Sequence, residues 1–129
     1  MKKNIALVAH DDQKVNMAEW ANKNKKLLEK HNLVGTGGTC KAVENVTGLK
    51  VQALGHGPNG GDIIIANEVL RGNIDILIFM IDARTPHGHE HDIQTLIRIC
   101  VLKDIPIALN KRSAELMFSS EKMKEKIKC

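Results

Sequence analysis

Residues 74–81 read Ile74-Asp75-Ile76-Leu77-Ile78-Phe79-Met80-Ile81, an apolar run broken only by Asp75. A strand with one wet face alternates polar and apolar residues. A run this continuous reads as a strand covered on both faces, the usual condition of a parallel sheet. Working outward, Asn4–Ala9, Leu33–Gly35, Val51–Leu54 and Ile105–Leu109 are further short apolar stretches. Between them lie helix-like segments at Gln13–His31, Thr39–Val46, Ile63–Leu70 and Asp92–Leu102. Repeated strand-helix alternation implies parallel strands joined by crossovers. The expected fold is a three-layer α/β/α domain spanning residues 1–129, with a five-stranded parallel sheet.

The composition suits that reading. A chain of 129 residues with 43% apolar content can bury one sizeable core. Trp20, Phe79 and Phe118 are the only aromatic residues, which argues against a base-stacking platform for single-stranded nucleic acid. The net charge is +4, but Lys23, Lys25, Lys26 and Lys30 share one helix-like segment and Lys122, Lys124, Lys126 and Lys128 crowd the tail. They read as a solvated face and a frayed terminus, so no nucleic-acid partner is expected. A mild positive bias still favours a small anionic substrate. Cys40, Cys100 and Cys129 show no metal-finger or redox spacing, and Cys100 reads as a core thiol. No signal peptide or membrane-length apolar run is visible, so a cytoplasmic protein with no membrane partner is expected.

Open parallel sheets bind ligands beyond the carboxyl ends of their strands. Those ends are chemically loaded here. His10, Asp11 and Lys14 follow the first strand, and Thr36-Gly37-Gly38-Thr39 follows the second. The third leads into Gly55-His56-Gly57-Pro58-Asn59-Gly60-Gly61-Asp62, and the fourth into Asp82. The threonine/glycine turn reads either as a phosphate cradle or as a threonine N-cap. Asp11 is an N-cap candidate, Lys14 a phosphate ligand or a surface lysine, and His10 a crevice-facing or core histidine. Asp62 is either the cap of the helix that follows or a carboxylate base. A cap alone does not call for four glycines and a proline before it.

His87-Gly88-His89-Glu90-His91 holds an H-x-x-E-H spacing, but Pro86 and Gly88 disfavour the regular helix that such a metal motif needs. A three-histidine metal loop and solvated histidines with one catalytic member both stay open.

Ala6-Leu7-Val8-Ala9-His10-Asp11 with Lys14, the threonine/glycine turn, Gly57-Pro58-Asn59-Gly60-Gly61-Asp62, Ile74–Phe79 and His89–Arg98 occur in an order that resembles the methylglyoxal synthases. The resemblance covers residues 4 to about 118, and its most specific part is the Gly-Pro-x-Gly-Gly-Asp element. It implies strand order 3-2-1-4-5, a homohexamer, and conversion of dihydroxyacetone phosphate to methylglyoxal and inorganic phosphate with no cofactor and no metal. By position it makes Asp62 the base and gives His89, with His10, the ketone and enediolate oxygens. It assigns the phosphate to Lys14, Thr36 and Thr39 with the backbone of Gly37 and Gly38, and substrate contacts to His56 and Gly57. Asp11, Asp82 and Asp92 would orient these groups.

The sequence departs from the family at four places. Gly38 stands where a threonine is usual, His56 where a serine is usual, and Ala83 where a proline is usual. Relatives also carry a longer tail than one ending at Cys129, from which an arginine serves a neighbouring subunit. A lost hydrogen bond to a charged group is worth ~1.5–3 kcal/mol, so Gly38 alone is expected to weaken phosphate binding about tenfold or more. Domains of this fold also serve as non-catalytic, phosphorylated-ligand-binding modules in carbamoyl-phosphate synthetase, and that is the alternative function. A phospho-acceptor receiver domain is a more distant one.

Overall fold

The computed structural model describes residues 2–54, 61–84, 90–120 and 123, without the side chains of residues 90–92. Five parallel strands form one sheet in the order β3-β2-β1-β4-β5. They are β1 (Asn4–Ala9), β2 (Asn32–Gly35), β3 (Gln52–Ala53), β4 (Ile76–Met80) and β5 (Ile107–Ala108). Among the described residues six α-helices lie between and after them: α1 (Lys14–Lys23), α2 (Lys25–Leu28), α3 (Gly37–Thr47), α4 (Gly61–Leu70), α5 (Glu90–Leu102) and α6 (Lys111–Phe118).

The central strands are buried on both faces, as the 74–81 run requires. Successive strand side chains point to opposite sides. Ile5 and Leu7 of β1, with Ile76, Ile78 and Met80 of β4, join Met17 and Trp20 of α1, Val43 of α3 and Phe118 of α6 in one cluster. Ala6, Val8, Leu77 and Phe79 face the other way, against Ile65 and Val69 of α4 and Leu96 and Cys100 of α5. Trp20 and Phe118 meet edge to face, with centroids 4.9 Å apart. The buried thiols of Cys40 and Cys100 are each pushed up to about 11 by desolvation, so they behave as core groups.

Three local details differ from the sequence reading. The segment 13–31 is two helices, not one, because the backbone leaves helical geometry at Asn24, whose side-chain amide donates to the Trp20 carbonyl. β3 is short and exposed, an edge strand with one neighbour. An additional helix, α6, follows β5, started by Asn110, whose side chain accepts the Ser113 N–H at 2.8 Å. Gly48 ends α3 in the left-handed region (φ 73°), where a Cβ would be strained.

The amino edge of the sheet carries a pH-sensitive fastening. The Lys3 N–H donates to His31 Nδ1 at 3.0 Å, while the buried Lys3 ammonium donates to the Met123 carbonyl at 2.5 Å. Desolvation, then the charges of Lys3 and Lys30, lower the His31 pKa below its ordinary 6.5, against a smaller opposing effect of Asp75. The folded state therefore prefers the neutral ring. This contribution is full above pH 6.5 and is lost as pH falls below that value toward the folded pKa. The melting temperature should fall between pH 7 and 5.5, and His31→Gln should flatten that part of the profile. Equal slopes for the two proteins would contradict the assignment.

Candidate active site

Parallel topology brings the carboxyl ends of β1, β2 and β4 to one edge, and the sequence loads that edge with polar groups. His10 leaves β1 with its N–H donating to the Met80 carbonyl at 3.2 Å. Its Nδ1 accepts the Asp82 N–H at 2.9 Å, and its ring meets Phe79 edge-on at 5.3 Å. An imidazole nitrogen that accepts an N–H carries no proton itself. The neutral ring therefore holds its proton on Nε2, as a hydrogen-bond donor.

The turn after β2 is wired internally. Thr39 Oγ1 accepts the Ala9 N–H at 3.0 Å and lies 2.8 Å from Thr36 Oγ1, and both side chains are buried. Thr36 occupies the N-cap position of α3, but its hydroxyl makes no capping bond, so the simple cap reading does not hold. The first helical bond is Cys40 N–H to the Thr36 carbonyl at 2.9 Å. The N–H groups of Gly37, Gly38 and Thr39 precede it, which is the arrangement that receives anions at helix N-termini.

Lys14, in the first turn of α1, puts its ammonium beside this turn and pairs with Asp11 at 2.6 Å. The hydrogen bond and charge of Lys14 hold the Asp11 carboxyl below its ordinary value. Asp11 is 98% exposed and does not cap the helix; Gln13 occupies the N-cap position of α1. Its described hydrogen bond goes to Lys14, not to a histidine.

Asp62 is 4% exposed and lies inside the first turn of α4, one residue past its start. Its Oδ1 accepts the Ile63 N–H at 3.0 Å. A carboxylate at this end of a helix interacts favourably with the helix dipole. Asp82 is also buried, and its Oδ1 accepts the Arg84 N–H at 2.9 Å. Asp12, which the sequence offers only to the receiver-domain alternative, as an acid after the first strand, belongs to the same group. Desolvation, then hydrogen bonding to Asp82 and its charge, raise the Asp12 carboxyl above its ordinary value. Only its place at a strand end could have signalled this.

His10, Lys14, Thr36, Gly37, Gly38, Thr39, Asp62 and Asp82 thus occupy the loaded edge and the helix starts that border it. His56, Gly57, His87 and His89 lie outside the described residues, as do the side chains of His91 and Asp92. Among the described residues no cluster of three or more metal-ligating side chains occurs, and no helix is long and apolar enough to cross a membrane. A wide cleft of about 1170 Å³ opens at the opposite, amino edge, lined by Asn4, His31, Asn32, Glu44 and Lys50. Strand polarity argues against that cleft as the centre of the chemistry.

Comparison with known proteins identifies the family and the fold. The family described as MGS-like domain matches residues 16–109. A methylglyoxal synthase of Clostridium acetobutylicum is 44% identical over 124 residues, covering 96% of this chain and 86% of that protein. One from Photorhabdus laumondii is 41% identical, covering 97% and 82% respectively. The crystal structure of methylglyoxal synthase from Elizabethkingia anophelis superposes with a TM-score of 0.88 at 38% identity, covering 95% of this chain and 80% of that one. The chain belongs to the methylglyoxal synthase family.

Proposed function

We propose that this protein is a carbon–oxygen lyase that converts dihydroxyacetone phosphate to methylglyoxal and inorganic phosphate without a cofactor. The observation that carries the reading is Asp62: a buried carboxylate at the start of α4, in a chain of this family. In the proposed reaction Asp62 removes a proton from the hydroxymethyl carbon beside the ketone; the C–H electrons form a carbon–carbon double bond and the carbonyl π electrons move onto the ketone oxygen. His89, together with Nε2–H of His10, donates to that oxygen as charge develops. The hydroxyl proton on the deprotonated carbon then passes to the former ketone oxygen. The electrons left on the hydroxyl oxygen re-form a C=O, the C=C shifts and the carbon–oxygen bond to phosphate breaks. The departing phosphate takes up a proton equivalent to the one Asp62 removed, and the enol product ketonises to methylglyoxal. Triosephosphate isomerase likewise pairs a carboxylate base with a neutral histidine.

Lys14 and the N–H groups at the start of α3 hold the phosphate in this scheme, and Thr36 and Thr39 fix the shape of the turn through their mutual bond. His56 and Gly57 contact the substrate, while Asp82 orients His10 through its N–H. Asp92 has the matching orienting role on α5. Self-association, as a hexamer, would cover exposed apolar residues such as Ile63 and Leu70 on α4 and Val101 and Leu102 on α5. Incubation with millimolar dihydroxyacetone phosphate should release methylglyoxal. No release above the protein-free rate would contradict the proposal.

A further inference from the structure

Gly38 has no conformational need to be glycine. It lies in the first turn of α3, and its φ is outside the left-handed region, where only Gly48 and Gly72 of the described glycines fall. Glycine is also among the weakest helix formers. The reason for it is space. A Cβ on Gly38 would stand 2.6 Å from Lys14 Nζ and 3.2 Å from Lys14 Cε. The ammonium occupies the volume that a side chain at position 38 would take.

We infer that Gly38 is a positioning residue: its missing side chain lets the Lys14 ammonium sit against the first turn of α3, and so sets the affinity for the phosphate group. The inference rests on the phosphate site proposed above. It also reverses the expectation drawn from the sequence, where Gly38 only loses a hydroxyl. Here the lost hydroxyl is exchanged for a closer full charge, and an ammonium binds an anion more strongly than a neutral donor does. A side chain restored at 38 pushes the lysine outward, toward Asp11, with which it already pairs. Since the obstructing atoms are the end of a flexible side chain, the fold itself should tolerate the change.

The test uses inorganic phosphate as the probe, with binding read by calorimetry for the wild type, Gly38→Ala, Gly38→Thr, Lys14→Met and Lys14→Met/Gly38→Ala. Gly38→Ala and Gly38→Thr should weaken phosphate binding about tenfold, the size expected for one charge-assisted contact. Their melting temperatures should be unchanged or higher. KM for the triose phosphate should rise by a similar factor with kcat nearly unchanged. In the Lys14→Met background Gly38→Ala should add nothing, because the group it displaces is gone. Wild-type affinity in Gly38→Ala, tighter binding in Gly38→Thr, no phosphate binding by the wild type, or additive losses in the double variant would each overturn the inference. Phosphate binding that follows this pattern without methylglyoxal release would support it while sinking the proposed reaction.

Discussion

Asp62→Asn is expected to lower kcat by at least about 10²–10⁴-fold, the usual worth of a positioned general base, with a small change in melting temperature. Asparagine keeps the shape of the side chain and retains an oxygen to accept the Ile63 N–H at 3.0 Å. It cannot take up a proton from carbon. Because the site is 4% exposed, no bulk water stands in easily for the lost base. Phosphate affinity should be preserved, since Asp62 has no part in holding the dianion. Steady-state kinetics with a parallel thermal melt separate these effects. A variant that keeps wild-type kcat would remove Asp62 from the chemistry.

Gly35→Ala is expected to have the largest effect on the fold. Gly35 ends β2 in register with Leu7 of the central strand β1. A Cβ there would stand 2.3 Å from the Leu7 carbonyl oxygen, with Cys40 Sγ behind it at 3.5 Å. This differs from Gly38, where the obstruction is a mobile lysine. A backbone oxygen in a strand buried on both faces has nowhere to move. The cost should be about 3 kcal/mol or more, at the upper end of overpacking effects, and the melting temperature should drop by roughly 10 °C. Thr36 follows directly, so the displaced strand end would also distort the phosphate turn. A variant melting with the wild type would show that β1 and β2 are less tightly joined than described.

The sheet was legible because its strands leave a strong signature. Ile76–Met80 is buried throughout, so burial on both faces appears directly as an unbroken apolar run. β3 left a weaker one, for an exposed edge strand of two residues obeys no such pattern. Helix α6 was missed because about two amphipathic turns beyond a short strand resemble a polar tail. Its cap, Asn110, was the available signal. The break at Asn24 depends on one side chain reaching back to a carbonyl, which residue order alone does not display.

The site was legible to the level of strand ends and no further. The rule that ligands meet the carboxyl edge selected His10, Thr36 and Asp82, and strand polarity then placed them. Direction was invisible. Asp11 and Asp12 are adjacent, yet one pairs with Lys14 and the other with Asp82. The threonine hydroxyls read as phosphate donors from sequence, while in the fold they bond to each other and to β1. Gly38 read as an absence, and only three-dimensional packing shows what fills it.

In the proposed function this chain eliminates phosphate from a triose phosphate without help from a cofactor. Its most direct test follows dihydroxyacetone phosphate by ³¹P and ¹H NMR in one tube, with chelator-treated protein and no added metal or nucleotide. Inorganic phosphate and methylglyoxal should appear in equal amounts, at a rate proportional to protein and lowered about 10²–10⁴-fold with Asp62→Asn. A substrate signal that shifts on binding but persists, with neither product formed, would contradict the proposed function and leave a phosphate-ester-binding module in its place.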